Sequence, residues 1–305
     1  MRHVLACIAL GLVTMGCAST DDDELAGDQE MAAKKKTDKH RFEVVQHNVG
    51  GGAENVGTPD GLAYTIAQIE ERKPDVVMLQ EVCADQYDAF KAKFVGWETH
   101  FVPMRDEHSG CANKAKGQVL ASPRAMEGYR DVDLLDMDGD KRFTLSCAGV
   151  PLPKTQRSVR ACVTHLHVGG TDPDGSARTR QAKRIAKEVA GDVASGRVVV
   201  IAGDLNTGPD KPILDSLYRL GLDGNTNGGS FDEADQTDPR NRDLARSGVT
   251  CAKSACRSGA PTTTDGPKLD YVFFSHNRTT EVGAQAFGSG GSHHSLYAAW
   301  GTLEF

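Results

Sequence analysis

Asp204 and Asn206 stand one residue apart at the end of Arg197-Val-Val-Val-Ile-Ala-Gly-Asp-Leu-Asn206. Residues 198–202 are apolar and mostly β-branched. The run is too short for a typical helix and reads as a strand buried on both faces. It stops at Gly203, and Gly208-Pro209 then turns the chain. Residues i and i+2 of an extended segment project to the same side. A carboxylate and an amide therefore leave a core strand together.

Other predicted strands end in the same way. Residues 42–49 close on Asn48, just before three glycines. Residues 75–82 form a second buried strand that carries Glu81 at its end. Residues 159–166 carry His165, and residues 268–274 begin with Asp270. The pair His293-His294 precedes the closing strands, 295–300 and 302–305. A carboxylate at the end of a buried strand costs free energy unless it is paired or bound to a cation. The oxygen donors Glu81, Asp270 and Asn48 suit a hard cation, Mg²⁺ or Mn²⁺. Each residue alone is ordinary: an Asn that opens a turn, a His at a strand exit. Together they place functional groups at the ends of a rigid scaffold.

The elements between them are legible in part. Leu62, Ile66 and Ile69 predict a helix over residues 59–72, with Thr58 or Asp60 near its cap and Pro74 ending it. Residues 85–94 read as the next helix. Residues 101–122 read as a long loop with a strand at its end, 117–122. Residues 143–147 and 159–166 read as paired strands. Asp136-Met-Asp-Gly-Asp140 fails the spacing of a calcium loop and reads as an acidic hairpin turn. Arg178, Arg180, Lys183, Arg184 and Lys187 mark a basic helix with a solvated face. A short helix is expected over 212–220, and a polar, loop-rich segment over 221–267.

The chain has 305 residues, 33 of them Gly, and a formal net charge of −7. Its overall field gives no reason to expect tight nucleic-acid binding, although a local basic cleft could outweigh the average. Arg105, Lys114, Lys116 and Arg124 are candidates for such a border. Residues 1–17 fit a signal peptide: Arg2 and His3, an apolar run too short to span a bilayer, then Gly16-Cys17. Gly-Cys resembles a bacterial lipoprotein cleavage site, so the expected destinations are free secretion and a lipid anchor through Cys17 at the cell envelope. Residues 18–40 read as a solvated tether and 41–305 as the folded domain. Beyond the signal lie Cys83, Cys111, Cys147, Cys162, Cys251 and Cys256. An even count in an exported chain favours disulfides without fixing their connectivity; the expectation is pairing of sequence neighbours, including Cys147–Cys162 and Cys251–Cys256. The spacing speaks against a zinc site.

Seven segments, in order, resemble the endonuclease/exonuclease/phosphatase superfamily with the deoxyribonuclease-I-like fold. They are Gln46-His-Asn48-Val, Leu79-Gln-Glu81-Val, Gly117-Gln-Val-Leu-Ala-Ser122, Val163-Thr-His165-Leu, Gly203-Asp204-Leu-Asn206-Thr-Gly-Pro, Leu269-Asp270-Tyr-Val-Phe and Ser292-His293-His294-Ser-Leu-Tyr-Ala. The resemblance implies an α/β (α+β) four-layered sandwich, two packed mixed sheets flanked by helices, with the site at one edge of both sheets. It implies metal-dependent hydrolysis of a phosphodiester or phosphomonoester by a monomer, nucleic acid being one candidate substrate. Carried over by position, Glu81 would hold Mg²⁺ or Mn²⁺ with Asn48 and Asp270. Asp204 would orient or activate water, and Asn206 would position the phosphate. His165 would hydrogen-bond a phosphate oxygen, and the terminal histidine would serve in acid–base catalysis.

One departure stands out. The family pattern near the C-terminus is Ser-Asp-His. Keeping register with Leu296-Tyr-Ala298 gives His293 the His position and Ser292 the Asp position. The other register gives His294 that position, with His293 in place of Asp. The first is preferred because strand register is hard to slip beside a buried face, which leaves His294 a substrate contact. In either register the orienting carboxylate is missing. The alternatives are a sphingomyelinase-type phospholipase C, for which no apolar hairpin is evident, and a non-catalytic surface module that keeps only the fold.

Overall fold

Residues 76–79 and 198–202 have no exposed face and become the middles of two β-sheets. A computed structural model describes residues 38–53, 57–135, 141–223, 227–236 and 257–305. In chain order the elements are β1 (Lys39–Asn48), α1 (Ala63–Arg72), β2 (Val76–Cys83), α2 (Ala84–Lys93), β3 (Glu98–His108), β4 (Lys114–Ser122) and β5 (Glu127–Asp133). There follow β6 (Thr144–Pro151), β7 (Ser158–His165), α3 (Ser176–Ala194), β8 (Val199–Asp204), β9 (Phe231–Glu233), β10 (Asp270–Ser275), β11 (Thr279–Ala286) and β12 (Tyr297–Glu304).

The first sheet runs β11-β12-β1-β2-β4-β3 and the second β5-β6-β7-β8-β10-β9. Each has one parallel pair, β1 with β2 and β7 with β8. A parallel pair needs a long crossover, and α1 and α3 supply it. The facing sheets bury Phe42, Val44 and Met78 against Val163, Val200 and Phe274. Each such side chain contributes about 1.5–3 kcal/mol when fully buried. Leu62, Ile69 and Phe90 cover the outer face of the first sheet, and Ile185 and Val189 cover that of the second. The result is the four-layered α/β sandwich of two mixed sheets.

Helix α1 starts through a 3₁₀ turn, Pro59–Leu62, and no side chain caps it. It ends at Lys73 in the left-handed region, before Pro74. Two expectations fail. Residues 101–108 are not loop but part of β3, an edge strand paired only with β4, where Pro103 is tolerated because an edge needs fewer ladder bonds. The helix expected over 212–220 shrinks to one 3₁₀ turn, Pro212–Leu214.

Cys83 bonds to Cys111, and Cys147 bonds to Cys162 directly across β6 and β7. These are the expected neighbour pairs. Cys251 and Cys256, the signal segment 1–17, most of the tether and the turn at 136–140 lie outside the described residues. Among the described residues no helix is long and apolar enough to cross a membrane.

Candidate active site

Strand register brings the second sheet's polar residues together. His165 pairs with Asp204 across β7 and β8, and Asp270 pairs with Asp204 across β10 and β8. Gly203 makes this approach possible: a Cβ there would lie 1.9 Å from the carbonyl oxygen of Thr164. Beyond β8 the chain bends at Asn206, which has φ of 50°. Its N–H donates to Asp204 Oδ1 at 2.9 Å and its Nδ2 to the Leu166 carbonyl at 3.0 Å. Arg178 donates to the Asn206 carbonyl while its Nε holds Asp172 at 3.0 Å. Arg178 is thus buried and structural, not part of a solvated face; Arg180, Lys183 and Lys187 are exposed as expected.

The first sheet supplies Asn48 and Glu81. Asn48 Nδ2 donates to Asp204 Oδ2 at 3.0 Å, and its Oδ1 accepts from the Gly50 N–H at 3.1 Å. Glu81 sits in a β-bulge where β2 shifts register against β4 between Leu79 and Val82. Its φ is 60°, a conformation disfavoured for a side-chain-bearing residue, and the bulge aims the carboxylate into the gap between the sheets. Oε2 meets Lys116 Nζ at 2.8 Å, and Oε1 lies 3.9 Å from His165 Nδ1. The Cys83–Cys111 disulfide anchors this strand end two residues further on.

Of the two terminal histidines, it is His294 that enters the cluster. Its Nδ1 lies 2.8 Å from Asp270 Oδ2 and its Nε2 3.5 Å from Asp204 Oδ2. His293, expected to do so, turns outward and pairs with Asp265 at 2.9 Å. The register argument fails because the pair precedes β12, where His294 makes only an isolated bridge to Thr263 and the β1–β12 ladder has not begun. Ser292 donates to the Asn48 carbonyl at 2.8 Å and accepts the His294 N–H at 3.0 Å, which fixes the loop. The orienting carboxylate is not missing either: Asp270 fills that place from another strand.

The electrostatics follow from burial and partners. Burial pushes His165 down to about 4, helped by the charge of Lys141, so its ring is neutral at pH 7. Burial opposes ionisation of Glu81, yet positive charges from His165, Lys116 and Lys141 hold it at about 2. With His165 neutral, the two lysines carry that effect. Burial, with Asp270 nearby, raises Asp204 against the pull of His165. Burial also opposes charge on His294, but its bond to Asp270 and the charges of Asp270, Asp204 and Glu81 raise it to about 9.

That last shift has a measurable consequence. The folded value of His294 lies above its ordinary 6.5, so its contribution to stability is full below 6.5 and lost as pH rises through about 9. Metal-free protein is expected to lose roughly 3 kcal/mol of unfolding free energy over that window from this group. Denaturant titrations at about pH 6 and about pH 9.5 measure it; equal midpoints would remove the His294–Asp270 ion pair.

The donors fit a hard cation. Ligand atoms of Asp204, Asp270 and His294 lie within 4.8 Å of one another. Glu81 offers a further carboxylate, already paired with the ammonium of Lys116. Of the basic residues named from sequence, Lys116 reaches the cluster and Arg105 is its cross-strand partner. Lys114 pairs with Asp85, and Arg124 is held by Asp75 at the other end of β2. Sequence reasoning passed over Lys141, which is buried beside Glu81, Lys116 and Asp204. It also passed over the chemistry of Gln46 and His47, whose only signal was their place beside Asn48.

The family model described as "Endonuclease/Exonuclease/phosphatase family" matches residues 45–299. No curated protein matches the chain by sequence. The human Nocturnin catalytic domain with bound sulfate is similar in structure, with a TM-score of 0.62 and 16% identity, covering 88% of this chain and 98% of that one. D. rerio TDP2 complexed with single-strand DNA product gives 0.60 and 13%, covering 86% and 98%. An endonuclease/exonuclease/phosphatase from Beutenbergia cavernae gives 0.58 and 18%, covering 87% and 72%. The chain belongs to the endonuclease/exonuclease/phosphatase family and is a metal-dependent phosphoric ester hydrolase.

Proposed function

We propose that this protein is an exported phosphodiesterase, with nucleic acid as its leading substrate class, working through Asp204, His294 and His165. The observation that carries this reading is a line of polar groups between the sheets, each within 4 Å of the next: Lys116 to Glu81, Glu81 to His165, His165 to Asp204, Asp204 to His294 and His294 to Asp270. It sets the positive Lys116 and His294 beside the carboxylates, with the neutral His165 between Glu81 and Asp204, as a site for an anion beside a cation requires. The single-strand DNA product held by D. rerio TDP2 supports a nucleic-acid substrate. The two disulfides support export.

Asp204 is the base that orients and deprotonates water, because burial makes it more basic than a free aspartate. His294, protonated and aligned by Asp270, is the acid that protonates the leaving oxygen. His165, neutral, donates to a phosphate oxygen, and Asn206 positions the same group. Lys116 and Lys141 neutralise the developing charge. Glu81 would hold the divalent cation, with Asp204 or Asp270 as a second carboxylate. Asn48 serves mainly to align Asp204, since both ends of its amide are engaged. When bound, the cation supplies Lewis-acid charge stabilisation and lowers the pKa of water.

A substrate panel tests the reading: single- and double-stranded DNA, RNA, sphingomyelin and phosphoinositides, each with Mg²⁺, with Mn²⁺ and with chelator. Cleavage of nucleic acid that stops with chelator and returns with metal is the expected result. Glu81→Gln should need more metal for the same rate. Cleavage of sphingomyelin alone would move the enzyme to the phospholipase class, and turnover indifferent to chelator would end the metal assignment.

A further inference from the structure

The last three residues of β1 each touch a different member of the cluster. Asn48 holds Asp204, as above. Gln46 Nε2 donates to Asp270 Oδ1 at 3.0 Å and to Gln80 Oε1 at 2.6 Å. His47 Nε2 lies 3.0 Å from the His294 carbonyl, and its Nδ1 lies 2.8 Å from Thr65 Oγ1 on α1. The alternation of a strand explains the division. Gln46 and Asn48 face the second sheet, and His47 faces the helical layer.

The donor directions are fixed by chemistry. A carboxylate can only accept, so the amide nitrogen of Gln46 faces Asp270. A carbonyl can only accept, so Nε2 of His47 carries its proton and Nδ1 accepts from the Thr65 hydroxyl. Burial supports this by holding His47 at about 4, hence neutral. Gln46 lies fully buried on a strand whose inward face carries Phe42 and Val44 before it and Asn48 after it. Among the described residues its Oε1 has no partner. A half-satisfied amide in an apolar layer costs free energy that an apolar side chain of equal size would not. Its grip on Asp270 is what offsets that cost.

We infer that Gln46 and His47 are positioning residues for the His294–Asp270 pair, Gln46 fixing the plane of the Asp270 carboxylate and His47 fixing the backbone of His294. The inference rests on the reading of His294 as the proton donor. Without Gln46, Oδ1 of Asp270 loses its described donor and the carboxylate is free to rotate away from Nδ1 of His294. Without His47, the loop that carries the imidazole keeps its Ser292 bond to β1 and its backbone bonds to Thr262 and Thr264, but the carbonyl of His294 itself loses its donor.

The test uses the full chain with Gln46→Met, which keeps length and removes the donor, and with His47→Leu and His47→Gln. The amide nitrogen of His47→Gln can replace Nε2. Two readouts are taken: kcat and KM on the best substrate of the panel, and the proton NMR resonance of the His294 Nδ1–H that bridges to Asp270. Gln46→Met and His47→Leu are expected to lower kcat roughly 10-fold, the scale of one buried hydrogen bond, with KM within about twofold. The resonance should shift or broaden in both. His47→Gln should restore kcat to within about threefold. If Gln46→Met fails to fold, Gln46→Asn, which withdraws the amide by one methylene, must show the same split. Wild-type kcat, a loss confined to KM, or a loss with an unmoved resonance would overturn the inference. If the wild-type protein cleaves no phosphodiester, the functional reading fails, and the resonance alone still decides the positioning.

Discussion

Asp204→Ala is expected to lower kcat/KM by at least about 10³-fold while the protein stays folded. Asp204 is the residue at which both sheets meet. It accepts from Asn48 of β1 and from the Asn206 N–H, and it faces His165 at 3.4 Å and His294 at 3.5 Å. Its loss removes the base and the common partner of both imidazoles at once. The fold should tolerate the change, because Asp204 is a fully buried carboxylate beside Asp270, whose charge disfavours its ionisation. Melting should therefore stay within about 5 °C of wild type, relief of the Asp204–Asp270 repulsion offsetting the acceptor lost to Asn48 and Asn206. Kinetics paired with thermal melts measure both arms. A rate loss under about tenfold would take Asp204 out of the reaction.

The second large effect separates adjacent residues. His294→Ala should lower kcat by about 10²–10⁴-fold, the usual worth of a positioned acid or base. His293→Ala should change it by less than about threefold, since that ring points to Asp265 at the rim. The prediction is sharp because the two rings belong to consecutive residues and lie 5.6 Å apart, so general damage to the loop would affect both variants alike. Equal losses in the two would show that the loop, not the imidazole of His294, matters. A larger loss at His293 would restore the register first expected from the sequence.

The contrast between those histidines also shows where sequence reading stops. Central strands were legible because both faces are buried: residues 76–79 and 198–202 are unbroken apolar runs. The strands that escaped notice, β3, β5, β9 and β11, are the four sheet edges. In Glu127–Asp133 only Val132 is buried, so there was no periodicity to find. Site residues at strand ends, Asn48, Glu81, His165, Asp204 and Asp270, inherited the clarity of their strands. His294 lies in a loop, where position is set by the bonds of Ser292 and His47 and by an isolated bridge to Thr263, not by any repeat. Lys141 was missed for a related reason: it stands just before β6, and only the fold brings it to Glu81.

The backbone at Glu81 and Asn206 is held where L-residues are least at ease, with φ of 60° and 50°. Glycine would relax both positions, and at 81 it would also remove a half-buried charge. Selection for durability and selection for turnover therefore pull on the same two residues in opposite directions. In a relative, a glycine at either place would be the mark of a chain that has kept the scaffold and given up the reaction.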